Sequence, residues 1–155
     1  MNNHFMARAI ELSIENVRSG RGGPFGAVVV KAGKMIAEGV NQVTARNDPT
    51  AHAEVLAIRQ ACEKLACFEL KDCELYTSCE PCPMCLGAIY WTRVAHVYYA
   101  GSAADASRAG FDDSAIYHEI GQPPTRRTIP MTQTMREEAL AAFRAWEEKP
   151  DKIRY

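Results

Sequence analysis

Residues 74–91 read ELYTSCEPCPMCLGAIYW. The stretch changes character part-way along. Glu74-Leu75-Tyr76-Thr77 has the composition of a short strand. From about Pro81, Leu86, Ile89 and Tyr90 recur at helical spacing, and proline is favoured where a helix begins. Val94 to Ala100 is again strand-like. Strand, helix and strand in close succession predict an α/β protein with a mixed sheet covered on both faces.

The same alternation extends upstream. Phe5, Met6, Ala9, Ile10, Ile14 and Val17 fall at helical spacing over 5–18, and Gly20 stops that helix. Gly22-Gly23-Pro24-Phe25-Gly26 is a turn that feeds the β-branched run Ala27-Val28-Val29-Val30, read as a buried strand. Ala32-Gly33-Lys34 predicts a hairpin turn and Met35 to Val40 the returning strand. Asn47-Asp48-Pro49 predicts the opening of a helix reaching about Ala66, with Asp48 as its cap and Ala53, Leu56, Ala57 and Ala61 as its packing stripe. Downstream, helices are expected near 103–109, 113–120 and 135–148. Gln122-Pro123-Pro124-Thr125 is a candidate hinge to a C-terminal arm ending at Tyr155.

Length and composition bound the possibilities. A chain of 155 residues fits one domain with a single core, and 47% hydrophobic residues is an ordinary globular composition. The formal charge of −1, with no basic run, argues against a long polyanion as partner. No apolar stretch approaches the length needed to span a bilayer. The N-terminal segment is an amphipathic helix with acids, not a secretion signal, so a cytoplasmic protein is expected. In that reducing compartment the six cysteines point to metal or redox chemistry rather than disulfides.

Cys79, Cys82 and Cys85 are each three apart. At a helix start, Cys82 and Cys85 share one face, and the helix N-terminus favours the thiolates that zinc requires. A third ligand must come from elsewhere. Of the four histidines, His96 lies within an apolar strand and reads as packing, while His4 and His118 sit in polar contexts. His52, near the start of the other capped helix, remains. One histidine and two cysteines leave a fourth position for water, which is the pattern of a catalytic zinc and not of a closed structural one. Glu54 is the candidate proton carrier. Positions i and i+2 of a helix face apart, so His52 and Glu54 can converge only if the site lies off the helix end. Cys79 reads as a small buried residue or a thiol behind the ligands. Cys62, Cys67 and Cys73 read as buried apolar side chains.

His-x-Glu followed by Pro-Cys-x-x-Cys resembles the zinc-dependent nucleobase and nucleoside deaminases. Within that class the chain resembles the bacterial guanine deaminases over nearly its whole length, through GGPFGAVVV at 22–30, NDPTAHAEV at 47–55, YTSCEPCPMCLGAIYW at 76–91 and AGFDDSAIYHEI at 109–120. The resemblance implies a three-layer α/β/α cytidine-deaminase-like fold with a mixed sheet of about five strands. It implies a homodimer in which residues 122–155 are exchanged between protomers. It also implies one zinc ion on His52, Cys82 and Cys85, with Glu54 as proton shuttle. Asn41 would hydrogen-bond the base, and Asp113, from the neighbouring chain, would approach its reacting edge. Asp112 is the adjacent alternative. Phe25, Ala53 and Tyr155 complete the implied substrate contacts, Phe25 being equally readable as a core anchor under the glycine turn.

The expected reaction is therefore hydrolysis of guanine to xanthine and ammonia. Three other readings compete. The first three stretches also resemble tRNA adenosine deaminases, against which stand the near-zero charge and the aspartate pair at 112–113. Cytosine or cytidine would suit the same centre. A structural zinc module would take Cys79 as fourth ligand and leave Glu54 without a role.

Overall fold

Gly26–Lys31 forms the first strand (β1) and Lys34–Val40 the second (β2). The turn between them uses Ala32 and Gly33, both at positive φ (48° and 71°), the two-residue reversal that matches the twist of a hairpin. The computed structural model describes residues 3–155; Met1 and Asn2 lie outside the described residues. Helix α1 spans Asn3–Arg18, α2 Val43–Arg46, α3 Ala53–Leu65, strand β3 Cys73–Cys79, α4 Pro83–Thr92, β4 His96–Gly101, α5 Ala103–Arg108, α6 Ser114–Ile120 and α7 Arg136–Glu148.

The sheet has the order β2-β1-β3-β4. β1 runs antiparallel to β2 and β3, and β3 runs parallel to β4 across α4. Its four strands are one fewer than the resemblance implied. After β4 the chain goes into α5, α6 and α7, and no later described residue joins the sheet.

β1 is apolar on both faces because both faces are covered. Ala27 and Val29 pack with Ala53, Ala57, Ile58, Leu75 and Ile89 on the side of α3 and α4. Val28 and Val30 pack with Phe5, Ala9, Leu12 and Tyr76 on the side of α1. Three layers result. The free edge of β2 is occupied by side chains of α3: Gln60 Oε1 accepts from Glu38 N (3.1 Å), and Lys64 Nζ donates to Ile36 O (2.9 Å). Such cover blocks pairing with another strand.

Several expectations are corrected. α1 buries Phe5, Ala9, Leu12, Ser13 and Asn16, while Ile10, Ile14 and Val17 are exposed. Ala9 marks where α1 lies closest over the sheet: a Cβ on Gly26 would stand 2.4 Å from Ala9 O. α3 begins at Ala53, not at 47–49. Asp48 does not cap a helix but closes a turn, its Oδ1 accepting from Thr50 N (2.8 Å) and Thr50 Oγ1 (2.7 Å). α4 likewise begins at Pro83, two residues after Pro81. His96 is exposed at the sheet edge, its ring 4.2 Å from that of Tyr98. Cys67 is exposed rather than buried.

The chain divides into two compact units, residues 1–113 and 114–155. The first holds the sheet and α1 to α5; the second holds α6 and α7. No helix among the described residues is long and apolar enough to cross a membrane.

Candidate metal centre and active site

The late starts of α3 and α4 have one consequence. His52 is the N-cap of α3 and Cys82 the N-cap of α4, each with an extended backbone and no side-chain capping bond. N-cap side chains ordinarily satisfy a free amide of the first turn, an interaction worth about 1 kcal/mol. Here both turn outward to each other instead. His52 Nδ1 lies 3.5 Å from Cys82 Sγ and 3.5 Å from Cys85 Sγ. Cys85, in the first turn of α4, is fully buried.

The donors fit zinc. Tetrahedral coordination with ordinary Zn–S and Zn–N lengths sets nitrogen and sulfur about 3.6 Å apart. All three donor atoms lie within 4.8 Å of one another, and no other such group was found among the described residues. Their electrostatics are those of a site built for a cation. The Cys85 thiol donates to Cys82 and holds its thiolate down at about 4, with further help from His52. That same bond and burial push Cys85 up. His52 is raised, chiefly by Cys82. Two adjacent sulfurs share one negative charge; a second becomes favourable with a dication between them and two helix N-termini behind.

Glu54 stands beside the ligands, as a site beyond the helix end requires. It is 5% exposed. Its Oε1 accepts from Thr77 Oγ1 of β3 (3.3 Å) and its Oε2 from Cys85 Sγ (3.4 Å). Burial, the largest influence, pushes its carboxyl up. A carboxyl displaced in this direction holds a proton more readily at neutral pH, the property of a shuttle. Cys79 is not part of the cluster: it is buried and its Sγ donates to Ser102 O (3.6 Å). The four-ligand module therefore lacks its fourth cysteine.

Asn41 follows β2 directly and is 7% exposed. Its Oδ1 accepts from Gly23 N (3.4 Å) and Val43 N (3.3 Å), which orients the amide. Gln42 N donates to Ala51 O (2.9 Å), tying this corner to the backbone just before His52. Ala53 is fully buried in the first turn of α3. Phe25 packs on the core, and its ring meets Phe111 edge-on with centroids 4.9 Å apart.

Asp113 belongs to the first unit. Its carboxyl is pushed up by burial and then by the charge of Cys82. Asp112 is exposed. Tyr155 ends the second unit and is 70% exposed.

Two residues escaped the sequence reading. Asn16 is fully buried, and its Nδ2 donates to Gly23 O (2.9 Å) and Asn41 O (2.8 Å). A polar residue in line with Phe5, Ala9 and Leu12 on α1 was the available signal. Phe111 had none, since its partner is 86 positions away in the chain.

A three-layer α/β/α frame that aims two helix N-termini, bearing His and Cys-x-x-Cys, at one point defines the zinc-dependent deaminases. The chain belongs to the cytidine and deoxycytidylate deaminase family, whose zinc-binding region matches residues 1–101. It is 58% identical to a guanine deaminase of Bacillus subtilis over 97% of both chains. The X-ray structure of the guanine deaminase from that organism superposes with a TM-score of 0.97, covering 100% of this chain and 99% of that one. A tRNA-specific adenosine deaminase of Aquifex aeolicus is 38% identical over 68% of each chain. A protein solved in complex with 2,6-diaminopurine is 33% identical, with a TM-score of 0.67 over 97% of this chain and 83% of that one. A mutant of it binds 8-azaguanine (36% identity, TM-score 0.68, 79% and 66% covered).

Proposed function

We propose that this protein is a guanine deaminase, releasing ammonia from the 2-amino position of guanine to give xanthine. The observation that carries the reading is the buried Glu54 carboxyl placed against the His52, Cys82 and Cys85 cluster, in a chain similar along nearly all its length to a guanine deaminase.

His52, Cys82 and Cys85 hold zinc, which when bound supplies a water made nucleophilic at neutral pH. Glu54 takes the proton of that water at its carboxylate and delivers it to N3 of the ring. It then carries a second proton to the departing amine, assisted by Asp113. Asn41 donates from Nδ2 to an acceptor atom of the base, since its Oδ1 is already occupied. Phe25 forms a wall beside the base.

The assay is ammonia release from each free nucleobase, with a tRNA anticodon stem-loop in parallel. Guanine is expected to be the substrate. Turnover of the stem-loop with none of guanine makes the chain a tRNA deaminase instead.

We further propose that the second unit completes the protein as a homodimer, with residues 122–155 exchanged and Tyr155 of the arm closing the site. None of residues 114–155 is buried, while Ile116, Ile120, Phe143 and Trp146 are exposed. So small a unit cannot stand on its own core. Exchange of an identical element satisfies both copies at once. Light scattering should give twice the chain mass; a monomer removes this part of the reading.

A further inference from the structure

Helix α3 ends on Ala66, which takes a left-handed φ of 48°. Two backbone bonds close that end. Ala66 N donates to Glu63 O (3.2 Å), and Cys67 N donates to Cys62 O (3.1 Å). Together they make a Schellman motif, in which the side chains at the two ends of the wider loop commonly touch. In this chain both of those positions are cysteines. The bond between them also bounds their separation. A Cα lies about 2.4 Å from its own carbonyl oxygen and about 1.5 Å from its own nitrogen. Across the 3.1 Å bond, the Cα atoms of Cys62 and Cys67 are therefore at most about 7 Å apart, the limit for a disulfide without backbone movement.

The two thiols are unequal. Cys67 is exposed, whereas Cys62 is half-buried and packs against the core cluster that contains Cys73. Glu69 N donates to Cys67 Sγ (3.4 Å), a surface bond that the sulfur gives up on turning to Cys62. Burial, and then the charges of Cys67 and Cys73, push the Cys62 thiol up. An oxidant arriving from solvent thus meets Cys67 first. Cys73, at the start of β3, is 1% exposed. The three sulfurs do not form a metal site: among the described residues only His52, Cys82 and Cys85 bring three such donors together.

We propose that Cys62 and Cys67 form a reversible oxidation site, which hydroperoxides close into a disulfide across the C-terminal end of α3. The Cys67 sulfur attacks the terminal oxygen of the hydroperoxide. The O–O bond breaks, an alcohol leaves (water, when the oxidant is hydrogen peroxide), and Cys67 becomes a sulfenic acid. The Cys62 sulfur then attacks the Cys67 sulfur. The S–S bond forms, the S–O bond breaks, and hydroxide departs with the Cys62 proton as water. The two electrons given up by the sulfurs have reduced the peroxide. Small thiols reopen the bridge by exchange. His52 caps the opposite end of α3, so the bridge leaves the metal centre in place. The site stands apart from the guanine deaminase reading and does not depend on it.

The test treats the zinc-loaded full chain with hydrogen peroxide. Remaining thiols are blocked with iodoacetamide, and the protein is unfolded and digested with trypsin without reduction. Trypsin cuts after Arg59, Lys64 and Lys71, so the bridge joins peptide 60–64 to peptide 65–71. Mass spectrometry should find this pair, lighter by two hydrogens than its parts and separated again by dithiothreitol. Dimedone, which captures sulfenic acids, should label Cys67 in Cys62→Ser and leave Cys62 unlabelled in Cys67→Ser. Zinc content should be the same before and after oxidation. The proposal is overturned if peptide 65–71 is joined instead to 72–93 through Cys73. It is equally overturned if Cys67 proceeds to sulfinic acid with no joined peptide, or if Cys67 stays a free thiol throughout.

Discussion

The two units of this chain use apolar residues in opposite ways. In residues 1–113 they are spent inward. β1 has none of Ala27, Val28 and Val29 exposed, and even polar groups such as Asn16, Asn41, Glu54 and Thr77 are buried with partners around them. In residues 114–155 large side chains are equally available, yet Ile120, Ile129 and Phe143 are each at least 60% exposed. Amphipathic pattern alone therefore does not make a core. A helix needs a covered face, and only the first unit has a sheet to offer it. The site is assembled on the side that can bury charge, where a displaced carboxyl and a thiolate pair are sustainable. The difference predicts large effects from conservative changes in the first unit and small ones from drastic changes in the second.

The strongest test falls on Glu54. Glu54→Gln keeps the volume and the ability to accept from Thr77 Oγ1, but it cannot carry a proton. Removing a positioned proton carrier costs on the order of 10²–10⁴ in rate. Ammonia release should fall by that amount while metal analysis still finds one zinc per chain. Wild-type turnover would remove Glu54 from the chemistry and require another group to carry the proton.

Gly39 comes next, where α3 lies hard against β2. A Cβ there would stand 2.1 Å from Ala53 O and 2.7 Å from Ala57 N, both backbone atoms that cannot rotate away. Gly39→Ala must push α3 off β2, at about 1–3 kcal/mol for overpacking. Because Ala53 adjoins both His52 and Glu54, zinc affinity should fall together with the urea midpoint. A loss of stability with zinc affinity unchanged would show that the N-terminus of α3 is not the part that moves.

Asn16→Ala should cost somewhat less. It leaves Gly23 O and Asn41 O without their buried donor, at about 1–2 kcal/mol. One compensation is visible: Asn16 Oδ1 is itself buried without a hydrogen bond, and alanine removes that group too. Asn16→Asp should be worse than alanine, since a carboxylate would face two carbonyl oxygens. Urea unfolding of the pair gives the order; an equal or smaller loss for aspartate would mean the side chain does not point as described.

How far the sequence exposes these features depends on how local each cause is. The buried strand β1, the Ala32-Gly33 turn and the pairing of Cys82 with Cys85 rest on neighbouring residues and short spacings, and they were readable; His52, 30 residues from Cys82, was reached by elimination among four histidines. The start of α3 was not. Asp48 and Pro49 carry the same signals whether they cap a helix or close a turn, and the choice is made by His52 taking the N-cap position against α4. The exposure of Ile10 and Ile14 was hidden likewise, because periodicity marks a stripe without saying which stripe meets the sheet. Asn16 and Phe111 depend on partners far along the chain, and no local pattern records them.

The weakest expected effect lies at the end of the second unit. Deleting residues 150–155 removes Ile153 and Tyr155, 69% and 70% exposed, and the Lys149 to Asp151 ion pair at 2.5 Å on the surface. Exposed ion pairs contribute little, and none of the deleted residues is buried. The urea midpoint should therefore stay within error of the full chain, in contrast to Gly39→Ala. Turnover separates two explanations of the exposed arm. If Tyr155 closes the site, as proposed, the truncated protein should lose guanine turnover while keeping its zinc and its dimer mass. If turnover survives intact, the arm's exposed side chains serve association alone, and the site lies wholly within the first unit.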